Sequence, residues 1–278
     1  MRFVLFTDNL ADLSIPACFD AAGKIGFDGL DLTVRPGGHV KPENADRGLA
    51  EARKAADAAG MSIDMISTAV SDVTSPHAES IFAAASHYGI RTIKLGYWKY
   101  EPFGTAARQI EQTRARLAGI VRLARKYQVL PCIHIHSGRS PVASGPLLYM
   151  LLEEFKPGEV GAYVDPMHMT VEGGNGGWEI GLDLLAPWVS LVGVKNFRWD
   201  ATERDRFGQQ RFRTTYTPLA DGQAPLPEFV TRLRELGYDG TYSLHSEYKG
   251  GSSFRQLATP ELLEQTEADL KFFKSLFT

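Results

Sequence analysis

Short β-rich apolar runs alternate with longer amphipathic stretches along the whole chain. The runs read as strands at Arg2–Phe6, Gly29–Val34, Ser62–Ser67, Ile90–Leu95, Leu130–His136, Val160–Asp165, Ser190–Asn196 and Thr241–Glu247. Between them, stretches such as IPACFDAAGKIG, ADRGLAEARKAADAAG and AARQIEQTRARLAGIVRLARKY carry helical spacing, and a last helix is expected near Thr266–Phe277. Gly26, Gly60, Gly89 and Gly237 stand where these helices should end, as left-handed caps require. Uninterrupted β-then-α units imply parallel strands, because each helix supplies the crossover. Eight such units in a chain of 278 residues predict one α/β domain over residues 1–278, a single (β/α)8 TIM barrel. A doubly wound open sheet is the alternative. Its glycine fingerprint is missing, since Asp8-Asn9-Leu10-Ala11 follows the first strand. The glycine-rich EGGNGG at Glu172–Gly177 lacks the Lys-Ser/Thr of a phosphate loop and reads as a flexible loop.

Composition narrows the classes. At 44% hydrophobic and 23% charged the chain can build a full core. A net charge of -3 offers no basic field for nucleic acid. Cys18 and Cys132 form neither a disulfide framework nor a zinc knuckle, which suits a reducing compartment. The opening MRFVLFTDNL is no signal peptide by pattern, and no run approaches the roughly 18 apolar residues of a membrane span. The expectation is a cytoplasmic protein with no membrane or nucleic-acid partner.

Polar residues gather where this fold places its chemistry, at the C-terminal ends of the strands. In CIHIHSG, His134 and His136 are two apart and share a strand face, with Cys132 below them. The sixth strand ends in YVDPMHM with Asp165 and His168, and the seventh in GVKNFRW with Lys195 and Asn196. The eighth ends in SLHSEY, which puts Ser243, His245 and Glu247 on one face, and the fourth carries Lys94. Converging carboxylates and imidazoles suit either a divalent metal or proton transfer beside a carbonyl. Structural ion pairs, Asp165 or Glu247 with Lys195 or Lys94, and hydrogen-bonded core histidines are the plainer readings. His39, His77 and His87 lie in loop or helix patterns and are expected in solvent. The stretch from Phe197 to Pro225 reads as a long loop rich in arginine and aromatic residues, Arg198 and Trp199 among them. A lid, a contact for an anionic group or an oligomer contact would each explain it.

The segments IHIHSG, VDPMH, VKNFRW and SLHSEY, in this order, resemble the xylose isomerase-like TIM barrels. That superfamily includes sugar isomerases, ketose 3-epimerases and endonuclease IV, and the resemblance spans essentially the whole chain. It is nearest to the sugar phosphate isomerase/epimerase group. It implies a sugar isomerase or epimerase, with a keto-sugar lyase or hydratase as alternative and a sugar-binding barrel without catalysis as a further one. The family's metal site draws Glu, Asp, His and Glu from strands five to eight. Carried over, Asp165 matches the Asp, His168 the substrate-contacting His beside it, and Glu247 the last Glu. Two positions depart: His134 replaces the strand-five Glu, and Gly193 stands where the strand-seven His belongs. The resemblance therefore implies a metal (Mn, Zn, Mg or Fe) held by His134, Asp165 and Glu247, helped by His136 or His245. In the alternative, Lys195 puts its ammonium where the metal's charge would sit. Glu247, His136, Lys195 and His245 are then the catalytic candidates, and His168, Lys94, Asn196, Arg198 and Trp199 the substrate contacts.

Overall fold

In the computed structural model, which describes all residues from Met1 to Thr278, eight parallel strands close into a barrel. The barrel strands are β1 (Arg2–Phe6), β2 (Gly29–Val34), β3 (Ser62–Thr68), β4 (Thr92–Lys94), β5 (Leu130–His134), β6 (Gly161–Val164), β7 (Val189–Val194) and β10 (Thr241–Leu244). Their order around the barrel is sequential, and β10 closes it by pairing with both β7 and β1. The helices are α1 (Ile15–Ile25), α2 (Ala45–Ala59), α3 (Ala78–His87), α4 (Ala106–Tyr127), α5 (Gly145–Leu152), α6 (Pro166–Leu185), α7 (Leu226–Glu235) and α8 (Thr259–Ser275). Gly26, Gly60, Gly89 and Gly237 all take positive φ at helix ends, a conformation that costs a side chain but not glycine.

Parity along the strands sorts the side chains. Outward residues such as Ile133, Val164, Val192 and Leu244 pack under the helices in the main core. Inward residues form layers. The lower layer is apolar, with Met65, Cys132, Tyr163 and Leu191 in one buried cluster. Above it five strands turn polar: Asp31 of β2, Ser67 of β3, Lys94 of β4, His134 of β5 and Ser243 of β10 are all buried inside the barrel. Asp31 accepts hydrogen bonds from the hydroxyls of Ser67 (2.8 Å) and Ser243 (2.9 Å), which tie β2 to β3 and β10 beneath the site.

Several segments differ from their sequence pattern. Strands β4, β5, β6, β7 and β10 end earlier than their apolar runs, so His136, Asp165, Lys195 and Glu247 sit just beyond regular pairing. EGGNGG is not a loop: it lies within α6, which breaks at Gly174, where φ is 60° and ψ is -152°. The stretch after β7 is not an irregular loop either. It is an antiparallel hairpin of β8 (Asn196–Arg204) and β9 (Gln210–Thr217). Its alternation was readable, but its charged positions face solvent on both sides and mimic a loop. His39 is half-buried rather than solvated, hydrogen-bonded to Thr33 (3.0 Å from its N–H) and to the Leu10 carbonyl (3.0 Å).

Candidate active site

A cavity of about 340 Å³ opens at the C-terminal end of the barrel, the size of a small-molecule site. Lys94, His134, His136, Lys195, His245 and Glu247 line it. Asp165 and His168 are buried directly beneath this lining.

Asp165 owes its position to two elements. It follows β6 and is the N-cap of α6, where its Oδ1 accepts the backbone N–H of His168 (3.1 Å). Its other oxygen, Oδ2, is the meeting point of the site. His134 Nε2 lies 3.0 Å from it, His168 Nε2 3.9 Å and Lys195 Nζ 3.9 Å. Lys195 also donates to Glu247 Oε1 at 3.0 Å. Burial works against the charge on Lys195, but Glu247 and Asp165 outweigh it and hold the ammonium more firmly than in water. Burial likewise pushes Glu247 up, and Lys195 and His245 more than reverse it, so this carboxylate stays ionised. Asp165 is raised to about 6, chiefly by burial.

The imidazoles are neutral and oriented. A carboxylate can only accept, so with Asp165 ionised His134 Nε2 carries the proton toward it. His134 Nδ1 then accepts from the Tyr97 hydroxyl (3.0 Å). His136 Nδ1 donates to the Ser137 carbonyl (3.1 Å), which leaves its Nε2 with a free lone pair at the cavity. Burial and then Lys195 lower His136 to about 4, so it is uncharged at neutral pH. His168 steadies this ring, with centroids 4.2 Å apart, and is itself fixed by Ser137 Oγ (2.9 Å). His245 shares a hydrogen bond with the Tyr163 hydroxyl (2.8 Å) and presents Nδ1 3.6 Å from Glu247 Oε1. Lys94 is buried with its Nζ 3.5 Å over the ring of Tyr97, rather than on a carboxylate. Burial lowers it to about 7.

Three expected substrate contacts lie elsewhere. Asn196 is buried at the base of the hairpin with its amide fully used. It donates to the Leu219 carbonyl (2.8 Å) and accepts from the N–H groups of Ala224 (2.8 Å) and Phe197 (2.9 Å). Arg198 is paired with Asp200 (2.8 Å) on the outer hairpin, and Trp199 beside it is exposed; neither lines the cavity. Conversely, Asp8, Arg35, Tyr97, Tyr163 and Tyr216 line it without having been singled out. The signal for Tyr97 was its place just after β4. Arg35 directly follows β2 and Tyr216 lies on β9 of the hairpin, whose approach to the cavity only the fold reveals.

The donor set has to be tested against the divalent ion that the resemblance implied. His134, Asp165 and His168 offer ligand atoms within 4.8 Å of one another. Glu247 is drawn to Lys195 instead of joining them. An ion on Asp165 Oδ2 would displace the His134 hydrogen bond and lie within a few ångströms of the Lys195 ammonium. Two unit charges ~4 Å apart repel by about 4 kcal/mol at an effective dielectric near 20, and a divalent ion doubles that. A histidine at position 193 would be crowded as well. A Cβ there would meet Asp165 Oδ2 and His134 Nε2 at 3.1 Å and the Tyr163 ring at 3.2 Å. A divalent ion does not fit the site while Lys195 is in it.

A closed parallel barrel with a polar cavity at the strand ends defines the class: a TIM barrel. The chain belongs to the xylose isomerase-like TIM barrel family, whose model matches residues 19–276. No curated protein sequence matches it. Solved structures do. The probable 3-DHS dehydratase AsbF from Bacillus anthracis superposes with a TM-score of 0.74 at 16% identity, covering 99% of both chains. D-psicose 3-epimerase, in a structure with D-fructose, gives the same TM-score, identity and coverage. A xylose isomerase-like TIM barrel protein from Mycobacterium smegmatis, in complex with magnesium, has a TM-score of 0.68 at 15% identity, over 100% of this chain and 98% of that one. At these identities the likeness is one of fold. No helix of this chain is long and apolar enough to cross a membrane.

Proposed function

We propose that this chain is a sugar isomerase or epimerase that moves a proton next to the carbonyl of a small carbohydrate. The observation that carries this reading is the fixed cation of Lys195 between two groups able to accept protons. Glu247 follows β10 and His136 follows β5, and these strands flank β6 and β7, which carry Asp165 and Lys195. A carbonyl oxygen over Lys195 Nζ is polarised by a charge that Asp165 and Glu247 hold in place. The neighbouring C–H then faces His136 Nε2 on one side or the Glu247 carboxylate on the other. One of them removes the proton, and the negative charge that moves onto oxygen is met by the ammonium. Return of the proton to the former carbonyl carbon, with the neighbouring hydroxyl's proton passing to the former carbonyl oxygen, isomerises the sugar, and return to the opposite face of the original carbon inverts it. Tyr97 and Tyr216 supply hydroxyls at the cavity wall for the sugar's own hydroxyl groups.

The test is solvent exchange. Aldoses, ketoses and keto-glycosides are incubated with the protein in deuterated water and followed by NMR. Deuterium entering the carbon beside the carbonyl of one sugar, with isomerised product, is the expected result. Loss of water or of an aglycone makes the chain a lyase or hydratase. Binding of sugars with no exchange on any of them leaves a carbohydrate-binding barrel and ends the catalytic reading.

A further inference from the structure

We infer that Lys195 fills a latent divalent-cation site with its own ammonium, so that the cavity works without a metal ion and takes one up only when this side chain is removed. The metal-free working of the enzyme rests on the proposed proton transfer; the exclusion of metal stands by itself. Four observations carry it. The ammonium bridges the two carboxylates of the site, 3.0 Å from Glu247 Oε1 and 3.9 Å from Asp165 Oδ2. Its side chain is buried, with a relative exposure of 4%, and its ammonium lies 5.5 Å from the centre of the Tyr216 ring. Two further nitrogens of the cluster, His168 Nε2 and His245 Nδ1, are buried without a hydrogen-bond partner. The Lys195 ammonium is directed at the two carboxylates and donates to neither nitrogen, whereas a metal ion in its place could accept a lone pair from each in the tautomer that leaves it unprotonated. Lastly, β7 supplies no ligand of its own at this level, because position 193 is glycine and a Cβ there would lie 3.1 Å from Asp165 Oδ2 and from His134 Nε2.

The cluster thus holds carboxylate oxygens and imidazole nitrogens in the mixture that binds Mn²⁺ or Zn²⁺, with a lysine cation at its centre. Taking the lysine away leaves the buried Asp165 and the half-buried Glu247 without their counter-charge, a state that favours capture of a cation from solution.

Mn²⁺ alone is the probe, followed by the loss of its free EPR signal on titration. The wild type and Lys195→Arg, which keeps the charge, are expected to take up none at concentrations on the order of 1 mM. Lys195→Ala is expected to bind one ion per chain at least ~100-fold more tightly than the wild type. Adding Asp165→Asn to Lys195→Ala should abolish that binding. One Mn²⁺ per wild-type chain overturns the inference without recourse to any variant. So does a Lys195→Ala protein that keeps its circular dichroism and melting temperature yet binds nothing. A wild type that excludes Mn²⁺ but exchanges no sugar proton removes the proposed reaction and keeps the cation assignment. A wild type whose exchange needs bound Mn²⁺ does the reverse.

Discussion

The two oxygens of Asp165 divide the site between folding and chemistry. Oδ1 caps α6, and Oδ2 gathers His134, His168 and Lys195. Residues at this scale were partly legible. His134, His136, Lys195, His245 and Glu247 stood out because imidazoles and charges at the ends of apolar strands have no place in a purely structural barrel. Asn196 stood out for the same reason, but its amide holds the hairpin base, a use that no spacing reveals. Glu247→Gln keeps the shape and removes the ionised proton acceptor, so exchange into the sugar should fall by about 10²–10⁴-fold with the melting temperature nearly unchanged. A fall no larger than threefold would remove Glu247 from the chemistry. Restoring the family's ligand by Gly193→His should fail. The new side chain meets atoms at 3.1–3.2 Å, so urea denaturation should show a loss of about 1–3 kcal/mol and Mn²⁺ titration no uptake.

Elements were legible where local pattern and tertiary packing agree. The barrel strands were found because a strand buried on both faces reads as a continuous apolar run, and the helices because one face is apolar. Helix α6 was not found whole, since EGGNGG looks like a loop; flanking turns and the Trp178 anchor pull it into helix on either side of Gly174. A Cβ at Gly174 meets nothing within 4 Å, so its cost is conformational alone. Gly174→Ala should therefore cost about 1–3 kcal/mol in urea denaturation, through a φ of 60° that alanine avoids. The hairpin depends on Asn196 more than on its own strands. Asn196→Ala strands the Ala224 N–H and the Leu219 carbonyl in a buried setting, and a loss of about 2–3 kcal/mol is expected by the same measurement.

For the whole molecule, burial of carboxylates sets the response to pH. Asp269 on α8 accepts from the Leu219 N–H (3.0 Å) and from the Tyr248 hydroxyl, and burial raises it to about 6. Asp31 inside the barrel is raised to about 6 for the same reason. A carboxyl whose folded value lies above its unfolded value binds its proton more tightly in the folded state. Its contribution is complete below about pH 4 and is lost as pH rises through about 6. Asp269→Asn cannot ionise, so its stability relative to the wild type should improve between pH 4 and pH 7. Urea midpoints at the two pH values check this, and a constant difference would show that Asp269 ionises freely in the fold.

The sequence by itself pointed to the barrel, because eight apolar runs alternating with amphipathic stretches can be buried as a closed barrel or an open sheet, and the open sheet's glycine fingerprint is missing. It also determined which strand ends carry chemistry, since charge at a buried end needs a reason wherever the fold places it. Only the tertiary structure decided which charges meet. Lys195 could have paired with either carboxylate or faced solvent; the closure of β10 on β7 brings Glu247 to it, while the cap of α6 aims Asp165 from the other side. Electrostatic partnership depends on distances of a few ångströms across the barrel, and residues 30 to 80 positions apart in sequence carry no local record of them.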